Sequence, residues 1–447
     1  MYKPKKNFAP RRPVADSQRG FQKGFQRDSQ REPLREKAPA EKVQKVIPTF
    51  EDIKQQLVAW AETEKIPGKI QAWFTADVNP ENADWRIIKT LRGEHEVFTV
   101  EAPAAEMKTP EVVNHIMEQL KKEHLHIFKK ALRQIWFRAA GDGRFALLVQ
   151  INLKGRNSAH GYKTFVDFLE RNCPEIISCH HVQCVPDGLF DPAGIANMHI
   201  ETKTAFGSEF LPIGDTGIQM HVMDWAPRIK DAWFQLPKRI EGAIHPNPED
   251  CFFEFYSGSS FVSAALSGLF KRVDSMDCRE FAMISSRLNG RNSISENMKF
   301  HRGHVEAEFF NKFFNKPENE GRWTFYLNLP AEETLAAGVE AAIAMARPER
   351  ILLQTGNLEV AGKEIKRFRS EGYMLRKSIP LYLEPGSGKF EVLFLLVPDR
   401  AGILGQNPAT KSRSRNVQRP QERVSGAKTA QKSIFRQEIP TFKQRKG

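Results

Sequence analysis

One stretch constrains the fold more than any other: CFFEFYSGSSFVSAALSGLF, beginning at Cys251. Phe252 to Tyr256 read as a buried strand, Ser257-Gly258-Ser259-Ser260 as a tight turn of small residues, and Phe261 to Phe270 as a helix. A strand passing through small residues into a helix N-terminus points backbone N–H groups and the positive end of the helix dipole at one spot. Doubly wound α/β folds cradle nucleotides in this way. The following RVDSMD reads as a second strand ending in an acid, Asp277, the place where such folds hold ribose hydroxyls. REFAMISSRLNG then reads as a helix closed by Gly290, a residue suited to a C-cap.

The chain after Gln219 continues in the same alternation. MKFHRG and RWTFYLNLP read as strands, AEETLAAGVEAAIAMA as a helix, RILLQTGN as a strand and EVAGKEIKRFRSEG as a helix. YMLRKSIPLYLEPG and KFEVLFLLVP read as a closing antiparallel pair. Alternating strands and helices predict a mostly parallel sheet with helices on both faces, over residues 216–398. Upstream, 131–215 reads as a smaller α+β domain. There Gly141-Asp142-Gly143 turns a hairpin, GYKTFVDFLERNCPEI forms a helix, and IISCHHVQCV a strand. Residues 47–130 read as a mostly helical region, opened by Thr49 as N-cap of TFEDIKQQLVAWAETE.

Charge separates the ends from the body. Residues 1–46 carry 13 Lys/Arg against 5 Asp/Glu, and 399–447 carry 12 against 3. Of the total of +13, the tails therefore hold +8 and +9, leaving −4 for everything between. Both tails are too poor in apolar residues to offset the entropy of ordering, so both read as disordered basic arms suited to a polyanion. In the first, RGFQKGFQR interleaves Phe21 and Phe25 with cations, a composition that stacks on bases while meeting phosphates. No run of eighteen apolar residues is present, so no membrane association is expected. The five cysteines and an N-terminus without an apolar core segment lead to an expectation of free thiols and a cytoplasmic setting. Cys179, His180, His181 and Cys184 suggest metal ligands by type. On a strand, however, alternate residues face opposite sides, so these four cannot converge on one ion, and no metal is expected.

From about 131 to 397 the motif order resembles the RNA uracil-5 methyltransferase family, which methylates uridine in ribosomal and transfer RNA. Gly217-Ile218-Gln219-Met220-His221 is similar to the family's FIQVN segment, which makes Gln219 a cofactor contact by resemblance. Glu254 to Phe261 resembles the DLFCGxGNF turn, with Gly258 kept and the second glycine lost. Asp277 falls at the ribose-binding acid, and Arg287 to Gly290 resembles ARLNG. Leu327-Asn328-Leu329-Pro330 stands where the family has its DPPR-like motif, so Asn328 takes the position of the aspartate that contacts cofactor or base. The nucleophilic cysteine of the family's SCNPATLARD segment falls at Gly356, and its general base at Glu391. The resemblance implies a class I S-adenosylmethionine-dependent, Rossmann-like domain and an RNA partner. It carries over no iron–sulfur cysteine set.

The expectation for function is an RNA-binding protein, with ribosomal or transfer RNA as partner, on a uracil-5 methyltransferase scaffold that has lost the covalent chemistry. S-adenosylmethionine is the cofactor the scaffold would hold, if binding survives. Two alternatives stay open: an active S-adenosylmethionine-dependent RNA methyltransferase with another target or mechanism, and a non-enzymatic ribosome- or protein-interaction protein.

Overall fold

A computed structural model describes residues 48–399, apart from 67–69, 93–94, 154, 186–187, 193–198, 215 and 293–295. The readings made for the two basic tails, and for Phe21 and Phe25, lie outside the described residues. Helix α1 (Phe50–Thr63) starts at Thr49, whose hydroxyl accepts from the Asp52 backbone while the Asp52 carboxylate accepts from the Thr49 N–H. This reciprocal capping box satisfies two otherwise unpaired amides.

The region expected to be mostly helical up to residue 130 contains two strands. β1 (Trp85–Arg92) and β2 (His95–Glu101) pair antiparallel, and β1 pairs onward with β3 (Leu132–Ala139). The cause is nonlocal. WRIIKTLR and HEVFTVE carry charges on an incompletely buried face, so their period is blurred, and the pairing that fixes β1 lies almost fifty residues downstream. Around them α2 (Glu111–Lys121), α3 (His126–Ala131), β4 (Phe145–Ile151), α4 (Arg156–Asn172), β5 (Ile176–Val185) and β6 (His199–Phe206) complete a first sheet in the order β2-β1-β3-β4-β5-β6. Only β4 and β5 run parallel, with α4 as their crossover. Helices α2, α3 and α4 cover one face, burying Ile116, Phe128, Phe165 and Leu169 against Ile135, Phe137, Leu147 and Val149.

A short pair, β7 (Phe210–Pro212) and β8 (Gln219–His221), and α5 (Asp231–Ile244) lead into the second sheet. There follow β9 (Cys251–Phe255), α6 (Phe261–Leu266), β10 (Arg272–Asp277), α7 (Glu280–Asn292), β11 (Met298–Arg302), α8 (Ala307–Phe314) and β12 (Trp323–Asn328). The chain closes with α9 (Val339–Ala346), β13 (Arg350–Thr355), α10 (Leu358–Ser370), β14 (Tyr373–Leu381) and β15 (Glu391–Pro398). The order is β11-β10-β9-β12-β13-β15-β14, parallel except for β15. Helix α7 runs two residues past Gly290, so this glycine is not a cap. A Cβ there would fall 2.0 Å from Phe300, and close packing is its reason.

Strand alternation sorts the second sheet into two faces. Phe253, Phe255, Phe325, Leu327, Leu353 and Phe394 pack under α1 and α8 to α10. Phe252, Tyr326, Leu352 and Leu393 face the other way and share one core with α5 and with Trp136, Leu148 and Val182 of the first sheet. A buried ion cluster ties the first sheet to the segment that enters α5. Asp84, just before β1, receives Lys230 on Oδ1 and lies 3.0 Å from Arg138 Nε on Oδ2, while the Ala139 N–H donates to Oδ1 at 2.8 Å. Arg138 also donates to the Asp224 carbonyl at 2.9 Å. All three charged side chains are buried, so removing the acid would leave two cations without solvent or the carboxylate that neutralises them. We expect Asp84→Ala to lower unfolding free energy by about 3–5 kcal/mol in a urea titration, the usual cost of breaking a buried pair.

Candidate functional site

In an open α/β sheet the ligand crevice lies beyond the strand C-termini where strand order reverses, here between β9 and β12. Parity then decides which side chains meet there. Glu254, Tyr326, Asn328, Gln354 and Glu391 all stand on the face shared with the first sheet, and all five line the crevice. Trp225, Pro227, Trp233, Leu236, Phe261 and Leu383 close it from the other elements. The polar residues form a chain. Tyr326 Oη donates to Gln354 Oε1 at 2.8 Å, and Gln354 Nε2 donates to the partly buried Glu391. Burial raises the pKa of Glu391, against the hydrogen bond from Gln354.

About 420 Å³ of space, part of it open to solvent, lies among these side chains. Trp233 and Phe261, with ring centroids 4.4 Å apart, line the crevice beside the β9 turn.

That turn is held by its own side chains. Gly258 has φ +55, and a Cβ there would meet Arg279 Nη2 at 3.3 Å, so both conformation and approach favour glycine. Ser260, where the second glycine is lost, still takes the left-handed conformation, with φ +57. Its hydroxyl compensates by lying 3.1 Å from Ser257 Oγ and 2.8 Å from both Ser275 Oγ and Ser286 Oγ, all buried. Asn289 of α7 donates to the Ser259 carbonyl and accepts from the Gln219 N–H. Gln219 is thus anchored through its backbone, and it does not line the crevice.

Asp277 ends β10 as expected, but both carboxylate oxygens are already engaged. Oδ2 accepts from the Gly258 N–H at 2.8 Å and from Arg279 Nη2 at 3.0 Å. Oδ1 accepts from the Arg279 backbone and Nε. Asp277 itself is buried. Gly356 and Glu391, far apart in sequence, are neighbours: a Cβ on Gly356 would lie 3.6 Å from Glu391 Cγ and 3.0 Å from the Phe390 carbonyl oxygen.

The histidine–cysteine cluster on β5 alternates faces. Cys179 packs under α4, with Tyr162 Oη 3.7 Å from its sulfur, and His181 bonds the Ile151 carbonyl on that side. His180 lies between Thr204 and Ser178. Burial pushes Cys179 up to about 12 and His180 down to about 4, so both stay neutral. Among the described residues no group of three or more His, Cys, Asp or Glu could hold a metal ion, and no helix is long and apolar enough to cross a membrane.

The strand order, the antiparallel β15 and the crevice at the reversal define a class I S-adenosylmethionine-dependent methyltransferase fold. Among solved structures the chain is similar to the Pyrococcus abyssi tRNA (uracil-54, C5)-methyltransferase in complex with S-adenosyl-L-homocysteine. The match has 13% identity and TM-score 0.54, and covers 77% of this chain and 83% of that one. It also matches Pyrococcus horikoshii TYW2 in complex with MeSAdo, at 14% identity and TM-score 0.37, over 64% and 99% of the two chains. Pyrococcus abyssi Trm5b matches at 10% identity and TM-score 0.35, over 78% and 96%. No protein-family model matches the chain, and no curated protein does. At 13% identity the likeness to the first of these establishes the fold alone.

Tyr326, Gln354 and Arg279 escaped the motif reading. The first two share the parity of Asn328 and Glu254, and that period of two is the signal that finds them. Arg279, two residues beyond a strand-end acid, is placed to turn back on it.

Glu254 is fully enclosed, accepts from the Ser263 N–H at 2.9 Å, and burial pushes it up to about 8. A carboxyl whose folded pKa exceeds its unfolded value contributes stability below the unfolded pKa, near 4.5, and loses it as pH rises through about 8. Glu254→Gln, which cannot ionise, should therefore gain stability over the parent as pH moves from 5 to 8.5. Urea midpoints at both pH values check this, and equal pH slopes in the two proteins would contradict it.

Proposed function

We propose that this chain is an RNA-binding protein on a uracil-5 methyltransferase scaffold, lapsed for 5-methyluridine formation. The observation that carries the reading is the juxtaposition of Gly356 and Glu391. The positions that the resemblance assigns to nucleophile and base are adjacent in space, and the first has no side chain. Attack on C6 of uracil needs a nucleophile as good as a thiolate, and a base that removes the C5 proton has nothing to act on until that adduct exists. The nearby Thr355 hydroxyl is buried and accepts from the Asn357 N–H. Cys278, an exposed thiol at the end of β10, sits three strand spacings from Gly356, or about 14 Å.

The cofactor side supports the same reading. S-adenosylmethionine would require the strand-end acid for its ribose and room beside the β9 turn. Asp277 is engaged by Gly258 and Arg279, Ser260 is laced to its serine neighbours, and Trp233 and Phe261 wall the crevice beside the turn. With Asp277 and Ser260 engaged in this way, the residues present do not fit the cofactor. The second reading, an active methyltransferase with another target, draws on the polar lining made by Glu254, Asn328, Gln354 and Glu391.

RNA is the expected partner because of the two basic tails together with a scaffold similar to that of a tRNA methyltransferase. The test incubates the full chain with S-adenosylmethionine and RNA containing 5-fluorouridine, which traps the adduct of uracil-5 methylation. The mixture is run on native and denaturing gels. We expect a retarded, salt-sensitive complex on the native gel and free RNA alone on the denaturing gel, for both the parent and Gly356→Cys. A denaturation-resistant band abolished by mutating a single cysteine would mean a relocated nucleophile and an active enzyme. No complex on the native gel at low salt would remove RNA as partner.

A further inference from the structure

A second cavity opens on the first sheet and shares no lining residue with the crevice. Lys89, Lys130, Arg133, Asn152 and Leu189 line it, and about 690 Å³ of space, part of it open to solvent, lies among them. They come from β1, the end of α3, the start of β3, the residue after β4 and the loop after β5. Among the described residues no acid lines this cavity. The sequence beside it is basic as well. Residues 121–133 carry five Lys/Arg and two histidines against Glu123 alone, although the body between the two tails totals −4.

Lysines on a solvated helix face commonly meet an acid one turn away, as Lys312 meets Glu308 at 2.6 Å and Lys363 meets Glu359 at 2.7 Å. Lys130 has no such neighbour, since the residues three and four away are His126, Ile127, Arg133 and Gln134. It is exposed, and no acid among the described residues pairs with it. Lys89 fixes the end of α3 against β1: its Nζ donates to the Lys129 and Lys130 carbonyls at 3.1 and 3.0 Å and pairs with Glu96 at 2.7 Å. Asn152 is partly buried and gives its backbone N–H to the Ala131 carbonyl, while its carboxamide has no protein partner among the described residues. Leu189 is 49% exposed, an apolar side chain at the edge of a cationic space. Cations, an unpaired amide and an apolar side chain, without an acid, suit a phosphate ester whose other part is less polar. An RNA strand repeats that combination at every nucleotide. Because the cavity opens to solvent, a strand can enter and leave it.

We propose that this cavity is an RNA-contact site on the first sheet, in which Lys130, Arg133 and Asn152 meet backbone phosphate and Leu189 packs against the adjoining nucleoside. The assignment rests on the RNA-binding reading above and adds where the folded body holds the strand. The test uses the full chain and a fluorescein-labelled twelve-nucleotide oligo(U), in an anisotropy titration across a salt series. Lys130→Gln should weaken binding about fivefold at about 0.1 M salt and lower the salt slope by about 0.7, as for loss of one single-strand phosphate contact. Lys312→Gln, a neutralisation on α8, should stay within about twofold of the parent, because charges more than about 10 Å away are largely screened at this salt. Leu189→Glu brings a carboxylate to the cavity at an exposed position. It should weaken binding more than Met345→Glu, the same charge change at a side chain of α9 that is 73% exposed. If Lys130→Gln and Leu189→Glu match their controls, the site is overturned while the RNA-binding reading stands. Saturable binding of uridine 5′-monophosphate by the parent, lost in Lys130→Gln, would assign the cavity to a free nucleotide and overturn the strand contact. No binding of oligo(U) by the parent at low salt would overturn both the site and the RNA-binding reading.

Discussion

The structure depends on a carboxylate that water never reaches. Asp84 stands where the first sheet begins and receives Arg138 from β3 and Lys230 from the approach to α5. Three buried charges are tolerable only if each meets an opposite partner or a hydrogen bond. The segment that enters α5 is therefore held in one position on the first sheet, since slippage there would break the pairing of Lys230 with Asp84. Arg138 extends the restraint by holding the Asp224 carbonyl, and so fixes the chain that supplies Trp225 and Pro227 to the crevice wall. The interaction that assembles the fold also narrows the site.

Within that frame the crevice has become self-satisfied. Asp277 would hold a ligand's hydroxyls through oxygens that here accept from Gly258 and Arg279. Ser260 has the backbone conformation that glycine adopts most readily, and pairs its hydroxyl with other buried serines. Tyr326, Gln354 and Glu391 bond to one another. A ligand that engaged Asp277, Ser260, Tyr326, Gln354 or Glu391 would have to replace these internal bonds before gaining any of its own.

Much of the second sheet was legible because its signals are local. Phe252 to Tyr256, the serine–glycine turn and RVDSMD gave β9, its turn and β10 almost to the residue, since buried parallel strands are short continuous apolar runs. The closing antiparallel pair was equally plain. β1 and β2 were not, because their charged, half-exposed faces blur the period and their pairing comes from far along the chain. Asp84, Arg138 and Lys230 carry no sequence pattern at all, since a buried ion cluster is defined only by convergence in space. The neighbourhood of Gly356 and Glu391, like the capture of Asp277 by Arg279, required geometry.

The account turns on whether the crevice takes S-adenosylmethionine, and one calorimetric titration of it into the full chain tests this directly. A closed crevice predicts no saturable heat, with any dissociation constant weaker than about 1 mM. A one-to-one isotherm with a dissociation constant near 1 μM, lost in Asp277→Ala, would contradict it. That result would show that Arg279 and the serine cluster open to admit the cofactor.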